Sequence, residues 1–292
     1  MPQGRKKRHP ALADVGELVN PIMVLAFQGW NDAGEAATGA VEHLEESWDA
    51  RELTTIDPDD YYDFQVSRPA VHFDADGARQ IEWPTTRVSL AKPDDGSRDI
   101  VLVRGIEPNM RWRAFCAELL DIAAALKVSE AVSLGALLAD VPHTRPVPVT
   151  VSASEDVVAT SLGIEASRYE GPVGIIGVFQ DAATRAGVQA TSIWAAVPHY
   201  VSQSPCPKAT LVLIAKVEDL LNESVPLGDL PEEAQAWQHG VEEMASEDPE
   251  IADYVARLER ARDTTELPEA SGEHIAKEFE RYLRRRGPSA PD

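Results

Sequence analysis

Between Ile22 and about Asn222, short β-branched runs alternate with stretches of helical periodicity. That alternation restricts the chain to an α/β layered fold with a largely buried sheet, because each strand has to be covered by the helical segments that separate it from the next. The strands expected are Ile22 to Phe27, Leu53 to Ile56, Arg87 to Ala91, Ile100 to Val103, Ala131 to Leu134, Val149 to Ser152 and Ser192 to Val197. Between Val71 and Trp83 the sequence turns on Asp74-Ala75-Asp76-Gly77, so a hairpin breaks the alternation and the sheet is expected to be mixed, mostly parallel.

The clearest helix runs from Arg111 to Lys127, where Trp112, Phe115, Leu119, Leu120, Ala123 and Leu126 recur on one face. Others are expected from Glu155 to Leu162, capped by Ser154, from Gly174 to Ala186, ended by Gly187, and from Lys208 to Leu221, after Pro207. Beyond Asn222 the composition shifts: twelve carboxylates and no Lys or Arg lie between Lys216 and Arg257. Three narrow apolar stripes follow, on Trp237, Val241 and Met244, on Ile251, Tyr254, Val255 and Leu258, and on Ile275, Phe279, Tyr282 and Leu283. Stripes this narrow bury too little surface alone, so they must pack on the α/β body, on one another or on a second subunit. The organisation expected is a flexible basic arm over 1–20, an α/β domain over 21–222, an acidic helical appendage over 223–286 and a disordered tail over 287–292.

Several functions are excluded by charge and composition. Asp and Glu number 49 against 27 Lys and Arg, a formal charge of -22, which repels polyanions over about a Debye length of 10 Å and argues against nucleic acid as a partner. The exception is Arg5-Lys6-Lys7-Arg8, read as a solvated arm that lacks the apolar stretch of a secretory signal. No apolar run reaches membrane-spanning length, so no membrane is expected. Cys116 and Cys206 are too few for a disulfide framework and lack metal-ligand spacing, which fits a cytoplasmic location.

Ligands of open α/β sheets gather outside the carboxyl ends of parallel strands. After the first strand comes Gln28-Gly29-Trp30-Asn31-Asp32-Ala33-Gly34-Glu35, after the fourth Arg104-Gly105-Ile106-Glu107-Pro108-Asn109, and after the last Pro198-His199-Tyr200. If these strands are parallel neighbours, Trp30, Asp32, Glu35, Glu107 and His199 share one rim. The same residues also have a purely structural reading, with Asn31 or Asp32 as a helix cap, Glu107-Pro108-Asn109 as a helix entry and His199 as a loop histidine. Phosphate loops, dinucleotide turns, nucleophile elbows and His-Glu-x-x-His are absent, so neither cofactor nor metal is expected. The glycines at 171, 174 and 177 suit close helix packing, and Cys116 falls on the apolar side of its helix as a buried thiol.

The rim segments carry a resemblance. Ala26-Phe27-Gln28-Gly29-Trp30-Asn31-Asp32-Ala33-Gly34-Glu35-Ala36-Ala37 is similar to the opening signature of the proteasome assembly chaperone 2 (PAC2) family in its actinobacterial branch. So are Tyr62-Asp63-Phe64 with Arg68-Pro69, Glu82-Trp83-Pro84, Gly105-Ile106-Glu107-Pro108-Asn109-Met110-Arg111-Trp112 and Val197-Pro198-His199-Tyr200-Val201. The resemblance implies a three-layer α/β/α sandwich of phosphorylase/hydrolase-like type that self-associates, with a trimer as first expectation. It also implies proteasome subunits as partners, after the eukaryotic chaperones of that name. Archaeal relatives engage the proteasome through a C-terminal hydrophobic-Tyr-x tail, and this chain ends instead in Ala290-Pro291-Asp292, which argues against docking of that kind.

Two functional expectations follow. The first is a non-enzymatic interaction or proteasome-assembly chaperone acting as a homo-oligomer, with Trp30, Tyr61 and Tyr62 as interface candidates and Gly29, Asn31, Asp32, Gly105 and Glu107 as its rim loops. The alternative is a small-molecule enzyme, hydrolase, phosphorylase or ligase-like, with Asp32 or Glu107 as general acid or base, Arg68 as anion clamp and His199 beside them.

Overall fold

The computed structural model describes residues 9–93, 96–153, 165–166, 169–201 and 203–266. The basic cluster at 5–8, the helix expected from Glu155 to Leu162, the stripe from Ile275 to Leu283 and the tail over 287–292 lie outside the described residues.

Strand β1 (Ile22–Gln28) is buried from Ile22 to Phe27. Side chains alternate across a strand, and here both faces are apolar: Ile22, Val24 and Ala26 join one core, Met23, Leu25 and Phe27 the other. A strand covered on both faces belongs in the middle of a parallel array. β1 accordingly pairs in parallel with β6 (Ile100–Ile106) on one side and β7 (Glu130–Ala139) on the other, and β10 (Gln189–Pro198) continues the parallel set beyond β7. Antiparallel strands complete the flanks. β5 (Thr86–Ala91) pairs with β6 and β2 (Arg51–Ile56) lies outside it, while β8 (Val149–Ala153) lines β10 and is followed by β9 (Glu165–Ala166). The eight-stranded order is β2-β5-β6-β1-β7-β10-β8-β9. The sheet is therefore mixed, as the sequence leads one to expect. A separate hairpin, β3 (Ala70–Phe73) and β4 (Arg79–Glu82), turns where Asp74 accepts a backbone hydrogen bond from Ala78 at 2.8 Å.

Helices α1 (Ala36–Ser47) and α4 (Pro207–Leu221) cover the face of Ile22 and Val24; α2 (Trp112–Ala125) and α3 (Ile175–Arg185) cover that of Met23 and Leu25. The result is a three-layer α/β/α sandwich. Ala36, Ala37 and Ala40 keep α1 thin where it lies on the sheet, and Gly39 lets it approach Thr210 of α4.

Two further helices, α5 (Leu230–Glu247) and α6 (Pro249–Glu266), form the C-terminal helical part. α5 adds Leu230 and Trp237 to the core that α4 closes. α6 is fastened mostly by polar contacts: Arg145 forks onto Asp263 at 2.7 and 2.8 Å and reaches Glu259 at 3.2 Å, and the Tyr254 hydroxyl donates to Asp140 at 3.0 Å. Beneath it, the Lys208 ammonium donates to the carbonyls of His143 and Arg145, at 2.5 and 2.9 Å, fixing the loop that carries the arginine. Trp237 of the first stripe is thus taken up by the core of the α/β body, whereas α6 packs along α5 and is held to the body by those polar contacts. Among the described residues no helix is long and apolar enough to cross a membrane.

Candidate functional site

Because β1, β6, β7 and β10 are parallel, the loops that leave them emerge on one edge of the sheet. There the ladder between β1 and β6 extends one bond further, from Glu107 N to Gln28 O at 2.8 Å. Gly29, at φ 135°, then turns the chain where a Cβ would come within 3.3 Å of the Glu107 Cβ.

Asn31 follows and is 1% exposed. Its Nδ2 donates to Glu107 Oε1 at 2.8 Å, its carbonyl accepts from Ala136 N of β7 at 2.8 Å, and the same Glu107 oxygen accepts from Ile175 N at 2.8 Å. Glu107 is therefore a carboxylate seated at the positive end of α3. It ties together loops from β1 and β6 and the start of a helix. Gly174, just before α3, is packed so closely on the Asn31 carboxamide that a Cβ there would overlap it.

Asp32, 5% exposed, accepts from Ala37 N at 2.7 Å, Thr38 N at 3.3 Å and the Thr38 hydroxyl. It caps α1 across the intervening turn Ala33–Glu35. Burial pushes its carboxyl above the ordinary aspartate range, against the pull of the three hydrogen bonds. A carboxyl raised in the folded state stabilises the fold most below its unfolded value of 3.8 and loses that contribution as pH rises through the folded value. Two variants test this. Asp32→Ala should cost about 1–2 kcal/mol in a urea titration, the usual worth of a cap. Asp32→Asn keeps an acceptor without the buried charge, so its stability relative to wild type should improve from pH 4 towards pH 7; a relative loss over that interval would refute the assignment.

The four residues of the enzymatic alternative do not meet in one cleft. A hollow of about 510 Å³ on this edge is lined by Gln28, Glu35, Arg68, Trp83, Arg104 and Gly105 among others, and Asp32, Glu107 and His199 are not in its wall. Both carboxylates are instead turned inward by the caps just described. His199 lies further along the edge, 3.2 Å from Asp140, with its ring against Tyr200 and Tyr254 where α6 docks. Gly105 does line the hollow; it stands opposite Thr86, which leaves no room for a Cβ.

Two interface candidates are corrected. Tyr61 and Tyr62 are 2% and 3% exposed. The turn Pro58–Asp60 folds the loop back, so that Tyr61 O accepts from Asn109 N and Met110 N at 3.0 and 3.2 Å and both rings point inward. Tyr61 packs on Phe115, centroids 5.2 Å apart, and donates to Glu118 at 2.5 Å. Tyr62 donates to Ile106 O at 2.8 Å, and burial pushes its hydroxyl up to about 12. The acidic neighbours Asp57, Asp59 and Asp60 suggested exposure that only the backbone direction could deny. Cys116 and Cys206 are likewise buried, which raises their thiols to about 12 and about 11.

Trp30 is different: it is 67% exposed, between Gly29 and the clasped Asn31. Exposed apolar residues border the elements this clasp joins, with Met110 beyond Glu107, Leu137 beyond Ala136 and Val173 before Gly174. Sequence reasoning missed Leu137 and Val173, since an apolar residue at a strand end or before a helix looks like core. Among the described residues no cluster of His, Cys, Asp and Glu could hold a metal ion.

The profile of the PAC2 family matches residues 26–245, which spans both the clasp and the cleft. The chain belongs to the PAC2 family. Among solved structures it is similar to a PAC2 family protein of Streptomyces avermitilis, at 56% identity and a TM-score of 0.76 over 80% of this chain and 99% of that one. It is also similar to Rv2125, the proteasome-assembly chaperone homologue of Mycobacterium tuberculosis, at 52% identity and a TM-score of 0.73, over 80% and 99% of the two chains. PbaB, an archaeal proteasome activator of Pyrococcus furiosus, shares the PAC2 fold at 16% identity and a TM-score of 0.62, over 78% and 94% of the two chains. No curated protein matches the chain.

Proposed function

We propose that this PAC2-family protein is a non-enzymatic interaction module, a cytoplasmic assembly chaperone of the proteasome type that acts as a homo-oligomer, a trimer being the stoichiometry of this reading. The observation that carries it is Trp30, exposed at 67% on a loop whose next two residues are locked by Asn31 and Asp32. A large aromatic held rigid before binding loses little conformational freedom on association, which is what makes an interface anchor. Glu107 and Asp32 support the same reading, since each is engaged in holding that loop and its helices. The role named for the Mycobacterium tuberculosis relative supplies the partner class, the subunits of a proteasome.

Trp30→Ala should leave the melting temperature unchanged while weakening association about 30-fold, the effect of losing an anchor residue of about 2 kcal/mol. The measurements are oligomer mass by analytical ultracentrifugation and capture of purified actinobacterial proteasome α-subunits. Wild-type oligomer mass together with wild-type capture in the variant would defeat the proposal.

A further inference from the structure

The hollow of about 510 Å³ is not accounted for by the Trp30 surface. Its floor is the ends of β1 and β6, at Gln28, Gly105 and Ile106; one wall is the start of α1 and the other is the base of the hairpin, with Arg68, Trp83 and Pro84. Trp83 is held in place by Phe64, ring centroids 4.8 Å apart. Two arginines of the lining are satisfied within the chain: Arg87 by Glu82 at 3.2 Å, and Arg104 by Glu42 and Glu45 at 2.9 and 2.8 Å. Arg68 makes no hydrogen bond or ion pair among the described residues. Of the arginines that line the hollow, Arg68 is thus the one without a carboxylate partner among the described residues.

A guanidinium fork matches carboxylate and phosphate alike. The other charges choose between them. Glu42 and Glu82 are offset by Arg104 and Arg87, whereas Glu35 lines the same hollow with only an amide donor, Gln28, and repels a doubly charged phosphate more than a single carboxylate. Trp83, Pro84 and Ile106 offer an apolar surface for the rest of a ligand, and the volume is that of a small-molecule site. The geometry points to this cleft as a binding site for a monocarboxylate with an apolar body, its carboxylate forked by Arg68 and its body laid against Trp83 and Pro84. A free small acid and the C-terminal residue of a polypeptide share that chemistry. The inference does not depend on the assembly role, because Trp30 takes no part in the cleft.

Titration calorimetry on the full chain tests it with N-acetylphenylalanine, its carboxamide, phenylacetate and inorganic phosphate. The acids should bind at roughly millimolar affinity or better, and the carboxamide about tenfold more weakly or worse. Arg68→Gln should lower affinity for both acids by a similar factor and leave the melting temperature unchanged, since Arg68 is exposed and unpartnered. Tighter binding of N-acetylphenylalanine than of phenylacetate identifies a polypeptide end as the source, and the reverse a free acid. The inference is overturned by a carboxamide that binds as well as its acid, by Arg68→Gln binding like wild type, by phosphate binding above the acids, or by no heat from either acid.

Discussion

Replacing Glu107 with alanine is expected to destabilise the fold by about 2–4 kcal/mol, because one oxygen serves two donors that have no substitute. Asn31 Nδ2 and Ile175 N both donate to Oε1 at 2.8 Å, and Asn31 is 1% exposed, so water cannot replace the lost acceptor without opening the rim. Hydrogen bonds to a charged group are worth about 1.5–3 kcal/mol each, and an orphaned buried donor adds its own desolvation penalty. Part of that loss is the anion at the start of α3. Glu107→Gln retains an acceptor at the same place and should lose only about 1–2 kcal/mol. Urea unfolding of the three proteins checks the order; an alanine variant as stable as the glutamine variant would mean that the carboxylate holds nothing together.

The second large effect is expected on the opposite side of the same amide. Gly174→Ala should cost about 2–3 kcal/mol, since its Cβ would occupy the place of the Asn31 carboxamide and the packed rim can yield only by moving that side chain away from Glu107. A double-mutant cycle separates this from ordinary backbone stiffening. In an Asn31→Ala background the obstacle is gone, and the same substitution should cost under about 0.5 kcal/mol. Equal penalties in the two backgrounds would show that the contact does not govern the position.

Much of the architecture could be read from the sequence because its elements announce themselves locally. The strands are β-branched runs, the hairpin turns on Asp74 to Gly77, and the stripe of Trp112, Phe115 and Leu119 repeats at helical spacing over two turns, giving Trp112–Ala125 where Arg111 to Lys127 was expected. β7 and β10 run longer than their apolar cores suggested, Glu130–Ala139 and Gln189–Pro198, since pairing between them carries residues that have weak strand preference alone. The rim was harder. That Asn31, Glu107, Ala136 and Gly174 meet is a property of strand order, and strand order depends on contacts between segments some seventy or more residues apart. Tyr61 and Tyr62 were misjudged for a related reason: acidic neighbours report on the loop's surface, whereas the direction of each ring is decided by a backbone bond to Asn109.

The central strand has one more implication. Apolar on both sides from Ile22 to Phe27, β1 carries no polar mark along that stretch to tell it which way to face, so alternation of polarity cannot choose its alignment with β6 and β7. Bulk does so instead. Ala26 and Val24 fit above the alanines of α1, whereas Phe27 needs the space beside Phe115, ring centroids 5.6 Å apart. Sliding the strand by a single position would press phenylalanine onto the thin helix and leave alanine facing the wide one.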